Sequence, residues 1–479
     1  MTAIWWIRRD LRLGDNPALD AALRHGAVIP LYIHAPDEEG AAAPGAASRW
    51  WLHHSLAALD GQLRALGARL IVRSAARAQA ALREVVAGTG AEAVFWNRQY
   101  APAQIARDQS VKVALRGMGL RAESFNGSLL FEPWEVLTRE GRPYRVFTPY
   151  WKACRGHGLD RADPIAPPSA LPPVPQGVGG EPLESLRLLP EIPWDTGFRD
   201  HWTPGEEGAW LRLRQFIGSG LAGYSAARDR PGHAGTSRLS PHLHFGELGP
   251  RQVVRAVLEA QHGDPDADAS RFFSELGWRE FAQHILFHFP HTVGRPMNPR
   301  WEGFFQVQEA DPRLWQAWTR GQTGIPLVDA GMRELWQTGW MHNRVRMIVA
   351  SLLTKNMQIA WQLGERWFWD TLVDADLANN VFGWQWTAGC GADAAPWFRI
   401  FNPVLQGERF DGEGDYVRRW VPELARLPGR WLHRPWEAPA QVLRAAGITL
   451  GTDYPRPVVD LAASRQGALD AFAGFRGPA

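Results

Sequence analysis

The chain predicts an α/β domain with a parallel, Rossmann-like sheet, followed by an all-α domain, and three observations carry that expectation. The first third alternates short apolar runs with helix-patterned segments. A proline-rich stretch then interrupts all periodicity. Beyond Pro204 the apolar spacing is helical throughout. At 479 residues the chain exceeds what one ordinary hydrophobic core accommodates, so two domains are expected.

Taken in order, residues 4–7, 28–33, 69–72 and 93–96 are β-rich apolar runs and predict strands. Residues 51–66 between them carry apolar positions at helical spacing. Asn16 before Pro17 predicts a helix start, because the amide caps and proline tolerates the first turn. No GxGxxG follows the first strand, and the lone GVGGE near Gly177 has no strand before it, so a dinucleotide fingerprint is absent. Residues 153–194 contain PIAPPSALPPVPQGVGGEP, a composition that favours an extended chain and predicts a linker. Helices are expected over residues 210–218, 250–260, 270–287, 327–336, 343–361 and 365–372. The resulting domain expectation is 1–130, 131–200 and 201–479.

Composition narrows the function classes. There is no apolar run of about eighteen residues and no leader pattern, since residues 4–7 run straight into Arg8, Arg9 and Asp10, so a cytoplasmic location without membrane contact is expected. The two cysteines, Cys154 and Cys390, form no CxxC pair, which argues against a disulfide framework or a cysteine zinc site. A net charge of +2 argues against a wholesale polyanion coat while leaving room for a local basic patch. The 25 tryptophans supply flat surfaces for stacking, although most belong in the core.

Five constellations have chemical content. Asp374 and Asp376 open DADLANNVFGWQW, where buried carboxylates and amides require partners; a capped helix with core tryptophans accounts for the same residues. Tyr224 and Arg228 lead to Thr236, Ser237, Arg238, Leu239 and Ser240, hydroxyls and an arginine suited to an anion or to an ordinary capped turn. Glu275, Trp278 and Arg279 share one helix, with Glu275 and Arg279 at i,i+4 spacing. Glu280, His284 and His288 share a face, but nothing resembling HExxH is present and no metal is expected. WMHNRVRM places Asn343, Arg344, Arg346 and Met347 together, a backbone-binding patch or a solvated helix face.

IWWIRRDLRLGDNPAL, GTSRLSPHLHFGEL, TGIPLVDAGMRELWQTGWMHNRVRM, DADLANN…GWQW and AAPWFRIFNP together resemble the photolyase/cryptochrome flavoproteins, in that family's order and across essentially the whole chain. The resemblance is greatest to class I cyclobutane pyrimidine dimer photolyases. It implies an α/β antenna domain and an all-α C-terminal domain that binds FAD in a folded conformation. By motif, Tyr224, Thr236, Ser237, Arg238, Leu239 and Ser240 would hold the diphosphate and ribityl side. Arg279, Arg346, Asp374, Asp376 and Asn380 would surround the isoalloxazine and adenine, with Arg346 neutralising Asp374. Asn380 would face flavin N5, where plant cryptochromes carry an acid, so repair is expected over sensing. A cryptochrome-type blue-light receptor that binds FAD without repairing DNA is the alternative.

The same resemblance implies that Trp278 and Trp386 sandwich a dimer flipped out of DNA, that Glu275 hydrogen-bonds it, and that Arg228, Arg344 and Arg399 clamp phosphates, with Asn343 and Met347 beside them. Trp340, Met341, His342 and Asn343 look like the cyclobutane-dimer branch rather than the (6-4) branch. DNA bearing pyrimidine dimers is the implied partner, and a monomer is expected.

Two departures stand out. The family reduces its flavin through three tryptophans; Trp384 and Trp361 match the first two, while the third position falls on Gln308, or on Val307 if one residue is inserted. Trp301 and Trp315 lie nearby in sequence, and light-driven flavin reduction is expected to survive. The Asn-Glu pair of folate-binding members matches Ala103 and Gln104, which leaves open a second antenna chromophore that is a deazaflavin, FMN or methenyltetrahydrofolate held differently, or no antenna at all.

Overall fold

The computed structural model describes residues 1–160, 163–305, 310–394, 396–397 and 399–476. The chain forms two compact units. One comprises Met1–Ala222, Ser237–Pro290 and Val373–Ala378, the other Gly223–Thr236, His291–Leu372 and Asn379–Ala479.

The first unit is built on a five-stranded, wholly parallel sheet in the order β3-β2-β1-β4-β5. The strands are β1 (Thr2–Ile7), β2 (Ala27–His34), β3 (Ile71–Ser74), β4 (Ala93–Asn97) and β5 (Arg121–Phe125). Four were expected from apolar runs. β5 was not, because RAESF sits at the sheet edge, buries only Ala122, and lacks an apolar run. β3 begins two residues later than expected. The helix Pro17–His25 starts as the sequence predicts, with Asn16 accepting from the Leu19 N–H at 3.2 Å. One core cluster of this unit joins Trp6, Leu31, Leu82, Trp96 and Leu115.

Arg12, fully buried, explains much of the N-terminal motif. Its guanidinium donates to the carbonyls of Gly14, Asp15, Gly127 and Gly246, at 2.6 to 2.9 Å. Gly246 must be glycine there: its φ is 66° and a Cβ would meet the Arg9 carbonyl oxygen at 2.2 Å.

The proline-rich stretch is extended, as expected, yet it packs. Val178 joins the core cluster, and the Glu181 N–H donates to the Val72 carbonyl at 2.9 Å. An extended chain has unspent backbone donors, and here they cover the open edge of β3.

Among the described residues after Pro204, regular structure is helical. The helix expected over 343–361 is two. Asn343–Ser351 continues into a π-helical turn, Leu352–Asn356; Gln358 adopts a φ of 53°, and a new helix begins at Trp361. The left-handed residue ends the first helix, a backbone event that apolar spacing does not register.

Candidate functional site

In the first unit, the helix Ala267–His288 carries Glu275, Trp278, Arg279 and Glu280. Asp266 caps it, accepting from the Ala269 N–H at 2.8 Å. The i,i+4 relation of Glu275 and Arg279 is not used as a pair. Glu275 lies 3.9 Å from Arg271, while Arg279 donates to the Ser128 carbonyl at 2.9 Å and meets Glu280 at 3.2 Å. Glu280 is buried and also accepts from the backbone of Leu130 and Phe131; burial pushes its carboxyl up to about 7, against the opposing pull of Arg279. Trp278 stacks on Phe147, with centroids 3.7 Å apart and planes at 10°, which fixes the indole plane.

The same unit holds the two acids. Asp374 is buried, and Asp376 stands immediately before the helix Leu377–Ala388. Gln283 donates to both Asp376 oxygens at 3.1 and 3.2 Å, and His244 Nδ1 lies 3.6 Å away. Burial lowers the His244 pKa, so the ring stands neutral beside that acid at ordinary pH. Gln283 escaped the sequence reading; it lies one helical turn beyond Arg279, the signal that could have found it. In the turn before the helix Ser240–His244, Arg238 has a φ of 52° and Leu239 is buried. Ser237 Oγ accepts from the Leu239 N–H at 3.4 Å, an ordinary turn contact, and Arg238 lies 6.0 Å from the Trp202 ring centre.

In the second unit, Tyr224 is buried with Arg228 5.7 Å from its ring centre, and Thr236 is half-buried. Arg228 and Arg344 converge on Asp229, at 3.8 and 2.8 Å, so two guanidiniums share one carboxylate. Arg344 also lies over Phe410. Asn343 and Arg399 are exposed and Met347 half-buried. Arg346 donates from Nε to the Met341 carbonyl at 2.8 Å.

Asn380 donates from Nδ2 to the Glu365 carbonyl at 3.1 Å and to Glu365 Oε1 at 2.8 Å. Burial pushes the Glu365 carboxyl up to about 7, with the Asn380 hydrogen bond opposing. Glu365 is a site residue that the sequence reading missed; only its place fifteen residues before Asn380 precedes the contact, and no local pattern marks it. Trp384 is buried against Gly364, where a Cβ would meet its Cη2 at 2.1 Å. Its indole Nε1 has no hydrogen-bond partner. Trp361 is fully buried on the same helical stripe as Gly364 and Phe368, and Trp386 is half-buried. Gln308 and Val307 lie outside the described residues.

Glu280, His284 and His288 hold no metal-type cluster: no group of three metal-ligating side chains occurs among the described residues. Burial instead lowers His284 to about 3. Cys154 and Cys390 are both buried and free, and no helix among the described residues is long and apolar enough to cross a membrane.

Residues 3–173 match the family described as DNA photolyase, and residues 272–474 match the FAD binding domain of DNA photolyase. The loop from Tyr224 to Ser240 falls outside both. The chain is 50% identical over 475 residues to a deoxyribodipyrimidine photo-lyase of Agrobacterium fabrum, covering 99% of this chain and 98% of that protein. It is 43% identical over 472 residues to cryptochrome-1 of Arabidopsis thaliana, covering 96% of this chain and 68% of that one. A crystal structure described as a bacterial class III photolyase from Agrobacterium tumefaciens superposes with a TM-score of 0.95 at 49% identity, covering 100% and 98% of the two chains. The narrower expectation of class I finds no support in that likeness.

Proposed function

The chain belongs to the DNA photolyase and cryptochrome family, and from that premise we propose that it repairs cyclobutane pyrimidine dimers in DNA by light-driven electron donation from a bound, reduced FAD. The observation that carries the reading is Asn380: its carboxamide nitrogen is taken by Glu365, which turns the oxygen away from that partner as an acceptor. An amide so held accepts from a flavin N–H without surrendering a proton, which supports repair over the receptor alternative. The donor set fits FAD further through the unpartnered, buried Trp384 Nε1 and the acid-amide pair Asp376 and Gln283. When bound, FAD supplies the photoexcited electron; the protein's part is to bind, orient and exclude water.

By motif, Tyr224, Thr236, Ser237, Arg238, Leu239 and Ser240 are the residues for the phosphate side of FAD, and Arg279, Arg346, Asp374, Asp376 and Asn380 those for its ring side. Phe147 holds Trp278 in a fixed plane, a preorganised platform for a base that has left the stack, and Trp386 is its counterpart. Glu275 hydrogen-bonds the pyrimidine edge and stabilises charge developing as the dimer splits. Arg228 and Arg344, which converge on Asp229, supply positive charge for phosphates, joined by the exposed Arg399. A second antenna chromophore is part of the proposal, its type left among deazaflavin, FMN and folate; Gln104 is buried and Ala103 exposed, so neither supplies a charged pterin ligand.

The test is to illuminate the reduced protein with an oligonucleotide containing one thymine dimer. Restoration of thymine absorbance in blue light and none in darkness is expected. A flavin-loaded protein that leaves the dimer intact would refute repair and favour the receptor reading.

A further inference from the structure

Lys355 is one of three lysines in a chain whose other basic residues, histidines apart, are all arginine, and it is fully buried. A lysine is rarely placed in a core without an acid beside it. Among the described residues, the titratable and charged groups that face this amine are Arg399, which opposes its charge, and the Cys390 thiol, which burial pushes up and so keeps neutral. Neither is a carboxylate.

The contacts of Lys355 are directed at one short stretch of chain, all of it within the second unit. Its Nζ donates to the Arg399 carbonyl at 3.0 Å and lies 5.4 Å from the centre of the Trp397 ring. One turn earlier, just before the π-helical turn Leu352–Asn356 that carries the lysine, Ser351 Oγ accepts from the Phe401 N–H at 3.2 Å. The C-terminal helix, Leu461–Arg476, adds a third hold, since Trp397 donates its indole N–H to the Ala468 carbonyl at 3.1 Å. Arg399 itself donates its N–H to the Pro396 carbonyl at 2.9 Å. Both polar groups of its backbone are therefore fixed, while its side chain stands exposed. We propose that Lys355 is a positioning residue for DNA: it fixes the Arg399 backbone so that the guanidinium meets a backbone phosphate, and its own proton is gained with that contact. The inference rests on the DNA reading above.

The coupling follows from two neighbouring cations, one of them in the core. Burial first, and then the Arg399 charge, lower the Lys355 amine to about 7. A phosphate seated on Arg399 offsets the second effect and raises the amine again. The complex then holds a proton more firmly than the free protein, so affinity is greatest below the free value and falls as pH rises through it. Arginine in this place would keep its proton throughout and could not respond. A lysine releases the charge while the phosphate is absent and recovers it when the phosphate arrives.

The experiment follows, by anisotropy at fixed salt, the binding of a rhodamine-labelled duplex containing a thymine dimer from about pH 6 to about pH 9, with the flavin-loaded protein and its Lys355→Met, Arg399→Ala and doubly substituted variants. The unmodified chain should lose affinity several-fold across that range, and each variant should give a flatter profile. At the acid end Lys355→Met should bind more weakly than the unmodified chain, yet cause no further loss when added to Arg399→Ala. An Arg399→Ala profile as steep as that of the unmodified chain overturns the coupling and leaves DNA binding standing; this comparison alters only an exposed side chain, so it decides even where Lys355→Met does not fold. An equal loss from Lys355→Met with and without Arg399 assigns the lysine to the fold and overturns the positioning role. A flavin-loaded protein without affinity for DNA at any pH defeats the DNA reading and the inference together.

Discussion

Glu365 ties a pH response to Asn380, the residue proposed to face the flavin. Its carboxyl is raised by burial from 4.5 to about 7, so between those values the folded chain holds a proton that the unfolded chain has released. The sign follows: this group's contribution is present below the lower value and is lost as pH rises through the higher one. Glu365→Gln should therefore flatten the fall in urea midpoint between about pH 5 and about pH 8, and parallel profiles for the two proteins would contradict it. Glu280 has the same direction for the same reason and is the natural comparison. Gly364 is a second residue-scale constraint. An alanine there places a methyl 2.1 Å from Trp384 Cη2 and 2.7 Å from Leu353 Cδ2. Overpacking of that kind costs about 1–3 kcal/mol, and a Gly364→Ala protein as stable as the parent by urea unfolding would show that Trp384 has room to move.

At the scale of elements, the helix Ala267–His288 acts as a rail whose exposed and buried faces have different work. Glu280 is satisfied by the backbone of residues 130 and 131, and Gly277 admits the Trp151 ring, where a Cβ would stand 2.5 Å from Cε3. With that face fixed, Trp278 is held against Phe147. Trp278→Ala should weaken binding of a dimer-containing oligonucleotide by about 1–3 kcal/mol, the usual value of a base–aromatic stack, with little effect on undamaged duplex. Equal losses on both substrates, measured by fluorescence titration, would assign the indole to the fold instead. The proline-rich stretch makes a related point about elements: its composition predicts extension, and only the bare edge of β3 gives that extension something to cover.

Across the whole molecule, a net charge of +2 is too small to drive DNA binding, so affinity must come from a local patch. Arg228 and Arg344, which share Asp229, are the cations proposed for it. Arg344→Ala should weaken duplex binding irrespective of sequence and reduce the slope of log affinity against log salt by about 1; an unchanged slope would remove Arg344 from the phosphate contacts.

The sequence by itself determined the parallel sheet, four of its five strands, the Asn16 cap, the helical second half and the family, because each is written in local periodicity, a capping pair, or motifs whose order survives without coordinates. β5, the break after Asn356 and the packing of the proline-rich stretch were decided by position in the fold: an edge strand needs no apolar run, and one left-handed residue ends a helix without disturbing its spacing. The same division holds at the site. Asn380, Asp376 and Arg344 could be named from motifs, whereas Glu365, Gln283 and Asp229 as their partners could not. The hold of Lys355 on the Arg399 carbonyl is the clearest case. No sequence spacing relates positions 355 and 399. Contact between a helical turn and a remote stretch of chain is fixed by how the elements pack, which tertiary structure alone decides.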